Sequence, residues 1–282
     1  MSNSLDPGLY LVATPIGNAR DITLRALDVL RDADLLVAED TRVLRRLLEI
    51  HGVPLRGRQV WSYHDHSGAK SQTGILDVAA GGQSVAYCSD AGTPLIADPG
   101  YELVREAAKR EITVTALPGA TSVAVALSLA GLPTDRFLFA GFAPKPGGDR
   151  ARYLAELRDV QASVVVFETA KRVQRLLDDM AEAWGEDRQA ALCRELTKKF
   201  EEARRGSLAE LRAENLDTPA RGEIVLVIDR AQKIATTDED VNELLTTALL
   251  NHSLRDAVDL VSGQVNRPRK QIYKLALDMN KS

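Results

Sequence analysis

The chain has 282 residues, 45% hydrophobic and 27% charged, with a formal net charge of −4. That length buries a sizeable core and suits more than one domain, while the acidic balance excludes a general nucleic-acid coat and still permits local basic patches. No apolar run approaches the ~20 residues of a membrane span, residues 1–7 lack the basic and apolar regions of a signal peptide, and Cys88 and Cys193 lie far apart in apolar runs, so a cytoplasmic protein with two reduced thiols and no membrane association is expected.

In chain order, residues 9–13 predict a strand and residues 23–30 carry leucines at helical spacing. Residues 35–38 predict a second strand, followed by a basic helix over 42–50 and a short strand over 59–63. A helix over 69–80 ends at Gly81-Gly82. Strand 85–88, helix 101–110, strand 112–117 and the apolar helix 122–130 follow. This alternation predicts about five parallel strands with helices between them. Gly131-Leu-Pro-Thr134 reads as a boundary. Beyond it, strands are expected at 137–142, 163–168, 188–193 and 222–228, with a charged helix after Pro144-Lys-Pro-Gly-Gly148. Residues 200–206 alternate and lead into a short helix, 207–212. This is a mixed-sheet α+β pattern. Residues 232–240 are polar and read as a linker, and 253–261 and 270–277 repeat apolar positions at helical spacing. The expected organisation is 1–132, an N-terminal α/β domain; 133–231, a second domain completing a cleft; and 232–282, a linker and small helical module.

Four loops follow first-half strands: Thr14-Pro-Ile-Gly-Asn18, Glu39-Asp-Thr-Arg42, Ser89-Asp-Ala-Gly-Thr-Pro94 and Pro118-Gly-Ala-Thr-Ser122. In parallel sheets the ligand crevice lies at the strands' carboxyl ends, so the small and polar residues gathered there mark the expected site. The first loop is neither a Walker motif nor a G-x-G-x-x-G fingerprint. In the third, Ala and Gly leave room for close backbone approach to a ligand. The hydroxyls of Thr121 and Ser122 open an apolar helix, either capping it or meeting a ligand at its N-terminus.

Ser89-Asp-Ala-Gly-Thr-Pro-Leu-Ile-Ala-Asp-Pro-Gly100, followed by Leu117-Pro-Gly-Ala-Thr-Ser122, resembles the paired S-adenosylmethionine motifs of the tetrapyrrole-methylase-like superfamily. Leu11-Val-Ala-Thr-Pro-Ile-Gly-Asn18, Asp21-Ile-Thr23, Ala38-Glu-Asp-Thr-Arg42, Tyr63-His64 and Cys193-Arg-Glu-Leu-Thr-Lys198 resemble its branch that methylates the ribose 2′-hydroxyl of a decoding-centre cytidine in 16S ribosomal RNA. The match runs from about residue 8 to residue 229, and the tail is similar to that branch's C-terminal extension. The resemblance implies a two-domain tetrapyrrole-methylase-like α/β fold, a parallel N-terminal domain plus a mixed-sheet second domain, acting as a homodimer with S-adenosylmethionine folded in the cleft. The acceptor would be small-subunit ribosomal RNA in the assembled 30S subunit.

Carried over by position, the resemblance assigns the donor to Pro15, Ser89, Asp90, Ala91, Gly92, Thr93, Ile96, Thr121 and Ser122, with Phe167, Leu196, Gly222, Glu223 and Ile224 from the second domain. One motif departs. After the Glu of this strand region the family usually carries Pro-His-Arg, whereas this chain reads Glu168-Thr-Ala-Lys-Arg172; Lys171 can replace a donor or a charge but not a neutral proton acceptor near pH 7. The sulfonium donor is already activated, so no metal is required, and the enzyme must align the reacting atoms and remove a proton. Candidates for that chemistry are Glu39, Asp40, His64, His66, Glu195 and Lys198. His64 and His66 also admit a metal or ordinary-loop reading, Asp40 a helix-start reading, and Lys198 with Glu195 a surface ion pair. Basic clusters at Arg42/Arg45/Arg46, Lys145/Arg150/Arg152, Lys198/Lys199/Arg204/Arg205 and Arg267/Arg269/Lys270/Lys274 are the candidate RNA contacts. A methylase of a tetrapyrrole or a protein, and a non-catalytic RNA-binding assembly factor, are the alternatives.

Overall fold

The computed structural model of the chain describes residues 5–64, 67–231, 237–265 and 267–279. They form two compact units, divided after Asp229. In the first unit, β1 (Gly8–Val12), β2 (Leu35–Ala38), β3 (Val60–Ser62), β4 (Ser84–Cys88) and β5 (Val114–Leu117) make one sheet in the order β3-β2-β4-β1-β5. Every pairing in it is parallel, as the strand–helix alternation predicts. The helices of this half are α1 (Leu24–Asp32), α2 (Thr41–Ile50), α3 (Ala69–Ala80), α4 (Tyr101–Lys109) and α5 (Ser122–Ala130). Side chains alternate along a strand, so unbroken apolar runs serve both faces. Leu36, Ala38, Ala86 and Cys88 pack with α1 and α2; Leu35, Val37, Val85 and Tyr87 pack with α3 and α4.

The second sheet takes β6 (Phe137–Phe142), β7 (Ser163–Thr169), β8 (Gln189–Arg194), β9 (Glu202–Ser207) and β10 (Glu223–Ile228) in the order β6-β7-β10-β8-β9. It is mixed: β6 and β7 are parallel and the other pairs antiparallel. One face is covered by α6 (Gly147–Leu157), α7 (Val173–Trp184) and α8 (Leu208–Asp217), through Leu154, Leu176, Leu177, Met180 and Leu211. The other is covered by α5, whose Val123, Ala126, Leu127 and Ala130 pack on Val165, Ala191, Cys193, Val225 and Val227. Helix α5 therefore follows a strand of the first sheet but buries its apolar side in the second.

Local chemistry accounts for the departures from expectation. The strand expected at 112–117 starts at Val114, because Ile112 N is spent on Ala107 O at 3.0 Å, closing the end of α4. The helix expected at 207–212 runs on to Asp217, launched by a capping box between Ser207 and Glu210. Helix α7 was not anticipated.

The second unit packs α9 (Asp238–Leu249), α10 (Leu254–Gln264) and α11 (Arg269–Met279) around Val241, Leu245, Val258, Val261 and Ile272. The linker reading of 232–240 is corrected at its end. Thr237 and Asp240 form a capping box, so that polarity starts a helix; residues 232–236 lie outside the described residues, as does His66. Among the described residues no helix is long and apolar enough to cross a membrane. Cys88 and Cys193 are buried free thiols, and burial pushes Cys88 up to about 12, which leaves it without reactive thiolate.

Candidate active site

Three neighbouring strands, β4, β1 and β5, release their loops at one edge of the first sheet, and those loops are bonded to one another. Thr14 N donates to Gly92 O at 2.9 Å, and Gly92 N returns a bond to Thr14 O at 3.0 Å. Thr14 Oγ1 donates to Ser89 O at 3.1 Å, Ser89 Oγ to Gly92 O at 2.9 Å, and Thr93 Oγ1 to Ala120 O at 3.1 Å. Asp90 Oδ1 accepts from Asp40 N at 2.9 Å, which adds the loop after β2. The close approach needs small residues: Gly92 holds a φ of +87°, and a Cβ on Gly119 would come within 2.6 Å of the Ala13 Cβ. Leu95 and Ala97 also hold positive φ, 73° and 62°. Such strain persists where the surrounding structure over-determines the backbone, commonly at ligand sites.

Across from these loops stand the ends of β6 and β7, the start of β10 and the turn after β8. Together they enclose a cavity of about 280 Å³, near the lower end of the ~300–1,000 Å³ range of small-molecule sites. Its size suits a small molecule and not a polynucleotide. Thr93, Thr121 and Ser122 give it a polar side; Ile16, Ile96, Phe167, Leu196 and Ile224 give it an apolar one. The Phe167 ring lies 4.7 Å from that of Phe139 and 5.5 Å from that of Phe142, centroid to centroid. Thr121 occupies the N-cap position of α5 yet makes no capping bond, which favours the ligand reading of this hydroxyl over the capping one. A helix N-terminus attracts negative charge. An aromatic wall facing a helix N-terminus fits a molecule with a flat ring and a carboxylate, as S-adenosylmethionine has.

Of the donor residues assigned from sequence, Ala91, Gly92, Thr93, Ile96, Thr121, Ser122, Phe167, Leu196, Gly222, Glu223 and Ile224 line the cavity. Pro15, Ser89 and Asp90 do not. Ser89 and Asp90 spend their side chains shaping the loops, and Pro15 sits between Thr14 and the lining residue Ile16. Sequence reasoning missed Ile16, Ala97, Asp98, Phe142, Glu168, Thr169 and Val225 as lining residues. Ile16, Ala97 and Asp98 lie inside motifs already singled out, and Phe142 and Thr169 end their strands, so position was the available signal.

The Glu168 side chain turns from the cavity to the α6–α7 face, the face of Val164 and Val166 on the same strand. There Arg172 Nη2 meets Glu168 Oε2 at 2.9 Å and also donates to Ala143 O. The segment that departs from the family motif thus contains a buried strut from β7 to the start of α7, while Lys171 is exposed.

None of Glu39, Asp40, His64, Glu195 and Lys198 lines the cavity itself. Asp40 caps α2, accepting from Arg42 N at 2.8 Å and pairing with the Arg42 guanidinium at 2.5 Å. The Arg42 side-chain bond, seconded by the backbone one, holds its carboxyl down at about 2, so it is a weak proton acceptor. The Glu39 carbonyl accepts from Ser62 Oγ at 3.2 Å, and His64 is exposed after β3, its N–H bonded to Ser67 Oγ at 2.8 Å. Glu195 and Lys198 stand closer to the cavity. Lys198 Nζ donates to Glu195 Oε1 at 3.0 Å and to the lining residue Glu223 at 2.9 Å, and Glu223 N donates to Glu195 Oε1 at 3.1 Å. Burial lowers the Lys198 pKa, but the bonds to Glu223 and Glu195 outweigh it and raise it overall. Lys198 is therefore a cation at neutral pH and not a base.

Comparison with known proteins gives the family and the fold. The model of the tetrapyrrole (corrin/porphyrin) methylases matches residues 8–212, and that of the RsmI C-terminal HTH domain matches residues 235–280. The chain is 42% identical over 277 residues to "Ribosomal RNA small subunit methyltransferase I" of Mesorhizobium japonicum, covering 98% of this chain and 93% of the relative. Among solved structures, the methyltransferase CobJ superposes with a TM-score of 0.61 at 18% identity, covering 82% of this chain and 97% of its own. Uroporphyrin-III C-methyltransferase from Thermus thermophilus, complexed with S-adenyl homocysteine, gives 0.54 at 19%, covering 79% and 98%.

The Glu195 cluster makes a pH prediction. The Glu223 N–H first, and Lys198 second, hold the Glu195 carboxyl below its ordinary 4.5. A carboxylate with a lowered folded pKa adds stability that is complete above the ordinary value and is lost as pH falls through the lowered one. In urea unfolding, the advantage of the wild type over Glu195→Gln is expected to be steady from about pH 7 to 5.5 and to shrink below about pH 4.5. An advantage undiminished at about pH 3 would contradict this assignment of the carboxylate.

Proposed function

The chain belongs to the ribosomal RNA small subunit methyltransferase I family, within the tetrapyrrole methylases, and on that premise we propose that it transfers a methyl group from S-adenosylmethionine to the ribose 2′-hydroxyl of a decoding-centre cytidine in 16S ribosomal RNA. The observation that carries this reading is the small-molecule cavity between the two sheets, most of whose lining is the residue set assigned from sequence to the donor. The tetrapyrrole and protein alternatives share the fold but not the near full-length similarity to an RNA methyltransferase or the C-terminal helix-turn-helix match. We further infer a cytoplasmic homodimer acting on the assembled 30S subunit, with the C-terminal unit contributing RNA contacts.

When bound, S-adenosylmethionine supplies a methyl group already activated by its sulfonium, so the reaction calls for no metal. The chain's task is then alignment. Phe167, Leu196 and Ile224 offer a wall for a flat ring, and the α5 N-terminus with Thr121 and Ser122 offers polarity for a carboxylate. Aligning two reactants is worth up to ~7–11 kcal/mol of barrier, against ~3–4 kcal/mol for one well-placed donor to a developing oxyanion. Lys198 carries its charge between Glu195 and Glu223, so that cluster is net negative and its help to an alkoxide is correspondingly small. Positioning is the larger contribution in this reading.

Three measurements test it. Thr93→Arg puts a bulky cation at the cavity wall and removes the bond to Ala120 O; calorimetry is expected to show no S-adenosylmethionine binding by the folded variant, and undiminished affinity would remove the donor from this cavity. A 2′-deoxycytidine placed at the target site of the ribosomal RNA is expected to abolish transfer, whereas persistent labelling would redirect the chemistry to a base. Sedimentation is expected to give a dimer at working concentration; a fully active monomer would refute the oligomeric part.

A further inference from the structure

Residues 195–205 run from the turn after β8, where Leu196 lines the cavity, into β9, and their charges are almost all consumed within the fold. Glu195 and Lys198 are held with Glu223. Glu201 Oε2 accepts from Thr197 N at 2.6 Å. Glu202 holds Arg194 and Arg204, Arg204 also donates to Thr218 O at 2.7 Å, and Arg205 donates to Leu129 O at 2.9 Å. Among the described residues, Lys199 is the charge of this segment with no such engagement. Its Nζ lies over the Phe200 ring, 5.5 Å from the centroid, and Phe200 is 62% exposed.

The backbone beneath this pair is constrained. Thr197 Oγ1 accepts from Asn18 N at 3.0 Å, fixing the lip to the first-half loop, and Lys198 N and Glu201 N close successive turns at 3.0 and 3.1 Å. Glu195 and Thr197 hold φ of +49° and +63°. A constrained segment thus presents a ring and a cation to solvent, four residues beyond the lining Leu196. Tyr101 with Arg105 is superficially similar, but there Glu102 pairs with the guanidinium at 2.5 Å.

We propose that Phe200, with Lys199 beside it, is a stacking platform for an unpaired base of the acceptor RNA, flanking the nucleotide whose ribose is presented to the donor. Unpaired RNA is read by stacking its bases on aromatic side chains. Such stacking tolerates any base, because each has a π-face, and a neighbouring lysine adds attraction to the phosphate backbone. The inference rests on the RNA-methyltransferase reading above.

The test is methyl transfer at saturating donor to small ribosomal subunits that lack the modification. Phe200→Ala is expected to raise the KM for subunits by roughly five- to a hundredfold, the range for losing one stacked base, with kcat within a few-fold and donor affinity by calorimetry unchanged. Phe200→Trp is expected to restore the KM. Lys199→Ala is expected to lower the slope of log affinity against log salt by about one. A wild-type KM in Phe200→Ala would overturn the platform, as would equal impairment of Phe200→Ala and Phe200→Trp with weakened donor binding, which marks a folding role. Failure of the wild type to label subunits at all would instead defeat the parent reading.

Discussion

Helix α5 leaves the first sheet just after Leu117 and lays Val123, Ala126, Leu127 and Ala130 on the second. Its sequence, Ser122-Val-Ala-Val-Ala-Leu-Ser-Leu-Ala130, contains no charge that would oppose this burial. Its C-terminal end is held by Gly131 in the left-handed region and by Arg205 on the Leu129 carbonyl. The consequence is geometric. A helix that begins at the loop edge of one sheet and packs on another brings the two loop edges together, with its own N-terminus between them. Without that packing, the Thr93 and Thr121 side of the cavity would have no Phe167, Leu196 and Ile224 opposite.

The loops around the cavity satisfy most of their polar groups on one another. Thr14, Asp90 and Thr93 are bonded to the backbone of neighbouring loops, and Ser89 to the backbone of its own. This self-satisfaction is what lets a polar edge sit half-buried, because an unpaired buried group costs ~1–3 kcal/mol. It also separates framing residues from those free to meet a ligand. The same economy restrains acid–base chemistry: Asp40 is consumed by Arg42, and Glu195 by Lys198 and the Glu223 amide. Both carboxyls are held below their ordinary values, which weakens them as proton acceptors.

The first-sheet strands were legible because a parallel sheet covered on both faces needs continuous apolar runs, and β2 and α3 fall where periodicity places them. What sequence could not supply was the partner of α5, since nothing in an apolar helix says which sheet it will cover. Helix α7 is not legible in sequence because its apolar positions, Val173, Leu176, Leu177 and Met180, begin directly after Arg172, which gives no side-chain cap to mark the start. The start of α9 reads as linker in sequence because capping boxes and linkers share the same polar residues. At the site, family motifs located the loops but did not distinguish side chains that line the cavity from those that brace it. Ser89 and Asp90 are assigned to the donor from sequence, while in the structure their side chains bond to loop backbone and do not line the cavity, and Glu168 turns away because alternation along β7 gives its side chain to the other face.

The charge of the C-terminal unit bears on how an acidic chain approaches RNA. Helix α9 begins with Asp238, Glu239 and Asp240, which suits the positive end of a helix dipole. Helix α11 begins with Arg269 and Lys270, which does not, and no acid in its first turn compensates them. One of the two is relieved by Asp259, 2.5 Å from Arg269 Nε; Lys270 and Lys274 stay on the exposed side with Tyr273. A helix start made unfavourable by like charge is relieved by an anion from outside, and a phosphate backbone supplies one. Simple packing as an appendage would require no such conflict, so the arrangement at α11 favours the RNA-contact reading of this unit.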